Sequence, residues 1–276
     1  MIYALAMKHG VVTQTENPKS YFEEVAEVVR LTGFCVFKSF LNTDEVEESR
    51  EKIDKVYTKQ LQDFNLQNFD DIKDSNIARS LATEDPFFAK VAVSPNAVGA
   101  ISQLLGENFI LFSQNGIINP ADRKHYQSAW HRDLNYQHWT SSKPIGMSIL
   151  IAIDPFTVET GCTRVATASH KQSEAPSDVY LDRYSTPIEM EPGDAAIFDA
   201  MLFHKAGNNS SGRVRRAINH IYAIPLLRPQ FDFTKVADFN EEGVYTKTQK
   251  YILGDQINQP LDPFNWRKVR LNNLSL

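Results

Sequence analysis

Apolar residues recur at helical spacing early in the chain and give way to short apolar runs beyond about residue 97. In "KSYFEEVAEVVRL" (19–31), Phe22, Val25, Val28 and Val29 share one helical face. Gly33 ends that helix, since the position after a helix favours glycine. "FCVFKSF" then reads as a strand. Asn42 caps a long second helix, with Glu45 placed to close a capping box and Leu41 and Val46 placed as a hydrophobic staple. Ile53, Val56 and Tyr57 continue its buried face. Residues 61–79 are polar and rich in Asn and Asp, which predicts a mobile surface segment and a candidate lid. "AVGAISQLLG" gives one more helix.

Six short runs follow, separated by turn residues: "NFILFSQNGIIN", "SAWHRDLNY", "IGMSILIAID", "TPIEM", "DAAIFDAMLFH" and "RRAINHIYAIPL". That many short strands with few helices predict a sandwich or barrel. "EPGD" (191–194) suits a type II turn with Gly193 at its third position. Residues 171–186 lack an apolar period and form a second candidate lid. Residues 229–276 show no clear period and read as a wrap around the barrel or part of a cover. The expected organisation is a single domain over 1–276: a helical part to about 105, a β core from about 106 to 228, and an extension from 229.

Composition narrows the function classes. The chain has 276 residues, 42% of them hydrophobic, and a formal net charge of -5. Without a basic block, nucleic acid is not expected as a partner. Cys35 and Cys162 stand far apart, so neither a disulfide framework nor a thiolate zinc site is expected, and a reducing, cytoplasmic setting fits. The apolar run in "MIYALAMKHG" is short for a secretory signal, and no stretch reaches the roughly 20 apolar residues of a membrane span. Oligomeric state is not legible.

Candidate chemistry begins at "WHRD". On a strand, His131 and Asp133 point to one face, roughly 7 Å apart. Aiming two ionisable groups inward is costly unless something pairs with them, and a metal ion would. The pair alone has common explanations, including plain exposure to water. His204, closing an apolar strand before a Gly/Asn/Ser loop, supplies a third donor. Two histidines and a carboxylate on one face of a metal leave positions open, which suits non-haem Fe(II) and O2. If the loop is a hairpin centred on Asn209 and Ser210, Arg215 faces His204 across the strands. Its charged fork then suits bidentate capture of a ligand carboxylate. Arg213 shares that parity, while Arg216 and His220 point the other way.

These residues carry a family resemblance. "WHRD", "GCTRVATASHK" (161–171), "PGDAAIFDAMLFH" and "RVRRAIN", in that order, resemble the phytanoyl-CoA dioxygenase family of Fe(II)/2-oxoglutarate-dependent oxygenases, from about residue 20 to about 228. The resemblance implies a double-stranded β-helix: a jelly-roll, cupin-like core, mainly β with flanking helices. It implies Fe(II) on His131, Asp133 and His204, and Arg215 on the distal carboxylate of the cosubstrate 2-oxoglutarate. It implies O2-dependent hydroxylation of a C–H bond in a small-molecule substrate, with succinate as coproduct. Asp133 is an acid where related halogenases have Ala or Gly, so halogenation is disfavoured. Ala206 stands where some members offer a hydroxyl to 2-oxoglutarate, and Thr163 is the candidate replacement. Gln114, Arg132 and Tyr136 are candidate substrate contacts, and Trp139 stands near them. His125 and His138 read as surface or supporting groups, and His170 as a loop anchor. Desaturation, cyclisation or epimerisation by the same oxidant remain alternatives, as do a non-catalytic metal- or ligand-binding barrel and a zinc hydrolase.

Overall fold

The computed structural model describes residues 17–64, 66–121, 126–134, 140–255, 262–264 and 267–268. Tyr136, His138, Trp139 and His125 lie outside the described residues.

Helix α1 (Tyr21–Thr32) starts where Ser20 Oγ accepts the Glu23 N–H and stops at Gly33, φ 93°. Glycine is needed there twice over. The left-handed backbone disfavours a side chain, and a Cβ would lie 2.6 Å from Leu202 Cδ1 and 2.7 Å from His170 Nδ1. Strand β1 (Phe34–Phe37) follows. Helix α2 (Thr43–Asp63) opens with the expected capping box: Asn42 Oδ1 accepts from Glu45 N at 3.0 Å, and Glu45 Oε2 from Asn42 N at 2.8 Å. Leu41 and Val46 are both buried in the main core.

Residues 61–79 differ from the expected mobile segment. They finish α2, form helix α3 (Leu66–Asp71), and end in strand β2 (Ile77–Arg79). Phe69, Ile77 and Ala78 are buried. A short edge strand carries too few apolar residues to show a period. Helices α4 (Leu81–Glu84), α5 (Pro86–Ala92) and α6 (Pro95–Leu105) complete the helical layer.

The β core comprises β3 (Ile110–Asn119), β4 (Gly146–Ala152), β5 (Arg164–Val165), β6 (Thr186–Pro187), β7 (Ala195–Asp199), β8 (His204–Lys205) and β9 (Arg215–Ala223), with α7 (Asp178–Tyr184) before β6. The larger sheet has the order β1-β7-β4-β9-β3-β2 and the smaller one β6-β5-β8. Both strands of the helical part thus join the larger sheet. Alternate residues of that sheet go to different cores. Ile149, Ile151, Ile197 and Ile218 pack with the helices, while Leu150, Ala152, Phe198 and Ala217 pack with Val165, Ile188 and Met190 of the smaller-sheet side. Burial on both faces explains why β4 and β7 read as continuous apolar runs. Gly193 turns the chain into β7 at φ 91°, with Asp194 N bonded to Glu191 O at 3.0 Å.

"SAWHRDLNY" is not a regular strand. A 3-10 turn (Tyr126–Ser128) is followed by a single bridge, His131 to His204. The Asp133 and Leu134 N–H groups then both turn to Ala200 O, at 3.0 and 3.4 Å. Beyond residue 229 the chain wraps the helical side: Phe233, Val236, Phe239, Tyr245, Ile252 and Leu253 join the main core, the last two at helix α8 (Lys247–Ile252). No helix among the described residues is long and apolar enough to cross a membrane.

The capping box gives a stability test. Asn42→Ala is expected to cost about 1 kcal/mol in urea unfolding, with no change in the dependence on urea. A loss near zero would show that the box does not hold the start of α2.

Candidate metal and cosubstrate site

His131 and His204 reach the same point from different segments. Each donates its backbone N–H to the other's carbonyl at 3.0 Å, and their rings lie 4.3 Å apart between centroids. His131 Nδ1 is 2.8 Å from Ala129 O, and His204 Nδ1 is 2.9 Å from Leu202 O. A carbonyl only accepts, so both Nδ1 atoms carry the proton and both Nε2 lone pairs are free. Asp133 Oδ1 is 3.6 Å from His204 Nε2. One ligand atom from each of His131, Asp133 and His204 lies within 4.8 Å of the others, which suits a metal ion. Ser148 Oγ on β4 donates to Asp133 Oδ2 and holds the carboxylate in place.

The electrostatics agree. Burial, with His204 next to it, pushes His131 down to about 4, so its imidazole is neutral at neutral pH. Burial works against charge on both members of the next pair, yet Asp133 is held below its ordinary value by His204, and His204 above its own by Asp133.

Arg215 is 2% exposed. Its Nη2 donates to Gly161 O at 3.0 Å, its guanidinium lies 4.2 Å from the Phe156 ring centre, and its buried Nε has no partner. Burial lowers its pKa to about 10, still high enough to keep the charge at neutral pH. His131, Thr163, His204, Ala206, Arg215 and Asn219 line one cavity. A buried arginine with an unpaired N–H, lining one cavity with two of the three candidate metal ligands, fits a carboxylate ligand. The hairpin that suggested Arg215 is not formed, however. β8 pairs with β5, and β9 with β3 and β4, so His204 and Arg215 reach the cavity from different sheets. The loop between them is tied instead to Glu159 O through Ser210 N and to Asn119 O through Asn209 Nδ2. Arg213 is exposed, and Arg216 turns away to Asp54 and Asp154, at 2.8 and 3.0 Å.

Gln114 does not reach the cavity. Its side chain bonds Ala82 N, Phe88 O and His220 Nε2 on the helical side, at 2.7–2.8 Å. The polar residues of β3 that line the adjoining chamber are Ser113 and Asn115, beside Phe112. Arg132 stands in the chamber wall, but its guanidinium is engaged by the carbonyls of Met201, Ser173 and Gln172 and lies 4.1 Å from the Phe203 ring centre. His170 anchors a loop to Arg30 O, and His220 sits outside the cavity with Gln114. Ser148, Asn115 and Asn219 escaped the sequence analysis. Asn219 was within reach of it, since it keeps the parity of Arg215 on β9.

Comparison with known proteins agrees with the geometry. Residues 29–217 match the family model described as phytanoyl-CoA dioxygenase (PhyH). An uncharacterized protein of Mycobacterium tuberculosis, Rv1501, is 28% identical over 230 residues, covering 82% of this chain and 83% of that protein. Dioxygenase trt7 of Aspergillus terreus is 28% identical over 219 residues, covering 75% and 73%. The crystal structure of EctD from S. alaskensis with 2-oxoglutarate and 5-hydroxyectoine is similar at a TM-score of 0.64 and 16% identity, covering 78% of this chain and 79% of that one. This chain therefore belongs to the phytanoyl-CoA dioxygenase family and is an oxygenase of the type that uses iron, 2-oxoglutarate and O2.

Proposed function

We propose that the protein hydroxylates a C–H bond of a small molecule, with iron on His131, Asp133 and His204 and the distal carboxylate of 2-oxoglutarate on Arg215. The observation that carries this reading is the pairing of three converging ligand atoms, from His131, Asp133 and His204, with a buried arginine whose Nε is unpaired and which lines one cavity with His131 and His204. Thr163, in the same wall, is the proposed polar neighbour of the cosubstrate in place of a hydroxyl at Ala206.

When bound, iron with 2-oxoglutarate and O2 supplies the oxidising power for attack on an unactivated C–H bond. The chain's own residues do the positioning. The Nδ1–H bonds to Ala129 O and Leu202 O lock both imidazoles in the metal-binding tautomer. Ser148 limits the carboxylate of Asp133 to one orientation. Arg215, desolvated over Phe156, strengthens any carboxylate contact because little water competes there. Ile117, Leu150 and Phe198 give the cavity apolar walls that keep water from the reacting centre. Asp133 would hold the metal together with His131 and His204, as one carboxylate beside two imidazoles.

Two outcomes check the assignment. His131→Ala, Asp133→Ala and His204→Ala should each abolish succinate formation and weaken Fe(II) binding in anaerobic titration. Full activity in any one removes that residue from the ligand set. Arg215→Ala should raise the 2-oxoglutarate requirement by about 2–5 kcal/mol in apparent binding, with a far smaller effect on Fe(II). Exposed Arg213→Ala should leave both unchanged, and the reverse pattern would move the carboxylate site to Arg213. A product heavier by one oxygen distinguishes hydroxylation from desaturation, cyclisation and epimerisation.

A further inference from the structure

Next to the metal triad lies a chamber of 290 Å³, whose walls include Ser113, Asn115, Asn219 and Gln230. It shares His131 and Asn219 with the cosubstrate cavity. Two of the residues in its wall, Asn115 and Asn219, each carry a buried Oδ1 without a hydrogen-bond partner. The two residues are 5% and 7% exposed and face each other in register across β3 and β9. Asn115 is held by a relay: its Nδ2 donates to Ser113 Oγ at 3.1 Å, which donates to Gln230 Oε1 at 2.6 Å. The relay uses the donor side of the amide and leaves Oδ1 as an acceptor.

Buried acceptors of this kind are costly unless a ligand fills them. 2-Oxoglutarate cannot, because the dianion carries acceptors only. It suits the unpaired donor on Arg215 and not the unpaired acceptors on the asparagines. Nor, among the described residues, does the chamber wall offer a free cation for an acidic substrate. Arg79 is paired with Asp74, and Arg132 is engaged by backbone carbonyls. The remaining apolar side chains in its wall, Phe112, Ala129 and Ile221, are few.

We propose that the substrate is a small polyhydroxylated or amino-hydroxylated molecule, whose neighbouring donors bond Oδ1 of Asn115 and Asn219 and so place a nearby C–H against the metal. Cross-strand partners stand about 4.5–5.5 Å apart at Cα, a spacing matched by donors on adjacent or next-adjacent carbons. The volume, near the lower end of the roughly 300–1,000 Å³ usual for ligand pockets, fits a molecule of one ring. This inference rests on the oxygenase reading above.

The test is succinate formation from 2-oxoglutarate by the full chain with Fe(II). It is run without addition and with myo-inositol, glucose, glucosamine or xylose, and against decanoate and progesterone. At least one of the four polyol probes should raise the rate tenfold or more, and neither apolar probe should. Asn115→Leu and Asn219→Leu should each lose that stimulation by tenfold or more. Asn115→Asp, which keeps an acceptor in place, should retain it. Succinate formed without addition, but raised by no polyol or raised equally by decanoate, overturns the substrate class and leaves the oxygenase reading intact. So does stimulation that survives Asn115→Leu. No succinate under any condition overturns both.

Discussion

Two reciprocal backbone hydrogen bonds, His131 N to His204 O and the converse, each 3.0 Å, join the segments that carry the candidate metal ligands. Neither segment belongs to a long strand. One follows a 3-10 turn and the other is a strand of two residues. Without the bridge, nothing local would bring the imidazoles to a 4.3 Å separation. With it, the ring orientations follow from the Nδ1 bonds to carbonyls two residues earlier, and Asp133 arrives because its own N–H is tied to Ala200 O at 3.0 Å. The site is thus built mainly from main-chain geometry, and side-chain identity decides what that geometry can bind.

The larger sheet supplies what such a short bridge cannot, a rigid wall. Its central strands are buried on both faces, against helices on one side and the smaller-sheet side on the other. A strand so placed cannot slip by one residue without sending its core residues to the wrong layer. Arg215, Asn219 and Asn115 keep their inward direction for that reason, and Gln114 and His220 their outward one. Outward does not mean exposed. That pair is buried among helices and bonded at 2.8 Å, which satisfies polar groups that would otherwise destabilise the helix–sheet contact.

Polar groups left unpaired in a packed interior usually mark an unmet role. Here three of them gather around one region: the Nε of Arg215, which lines the candidate cosubstrate cavity, and the Oδ1 atoms of Asn115 and Asn219, which line the adjoining chamber. The first wants an acceptor and the other two want donors. Under the proposed reading, two ligands of opposite hydrogen-bonding character, side by side, would satisfy all three.

Much of this was legible in the residues. The cap at Asn42, the stop at Gly33, the turn at Gly193 and the apolar β runs are local signals, each set by a few neighbouring side chains and their backbone preferences. The candidates His131, Asp133, His204 and Arg215 could be named from ordered motifs, and the structure brings the first three together and places Arg215 on a cavity with His131 and His204. What the sequence could not settle was which segments meet. It suggested a hairpin between His204 and Arg215, whereas strand pairing sends them to different sheets, a long-range choice made by burial on both faces of the larger sheet. It gave Gln114 to the cavity, whereas the register of β3, irregular between Leu111 and Ser113, gives that place to Asn115. It read residues 61–79 as a surface loop, whereas the edge of the sheet needed a strand. By itself the sequence determined the local elements and the candidate ligands. Only the tertiary structure decided their facing and their partners, because those depend on which distant surfaces can be buried together.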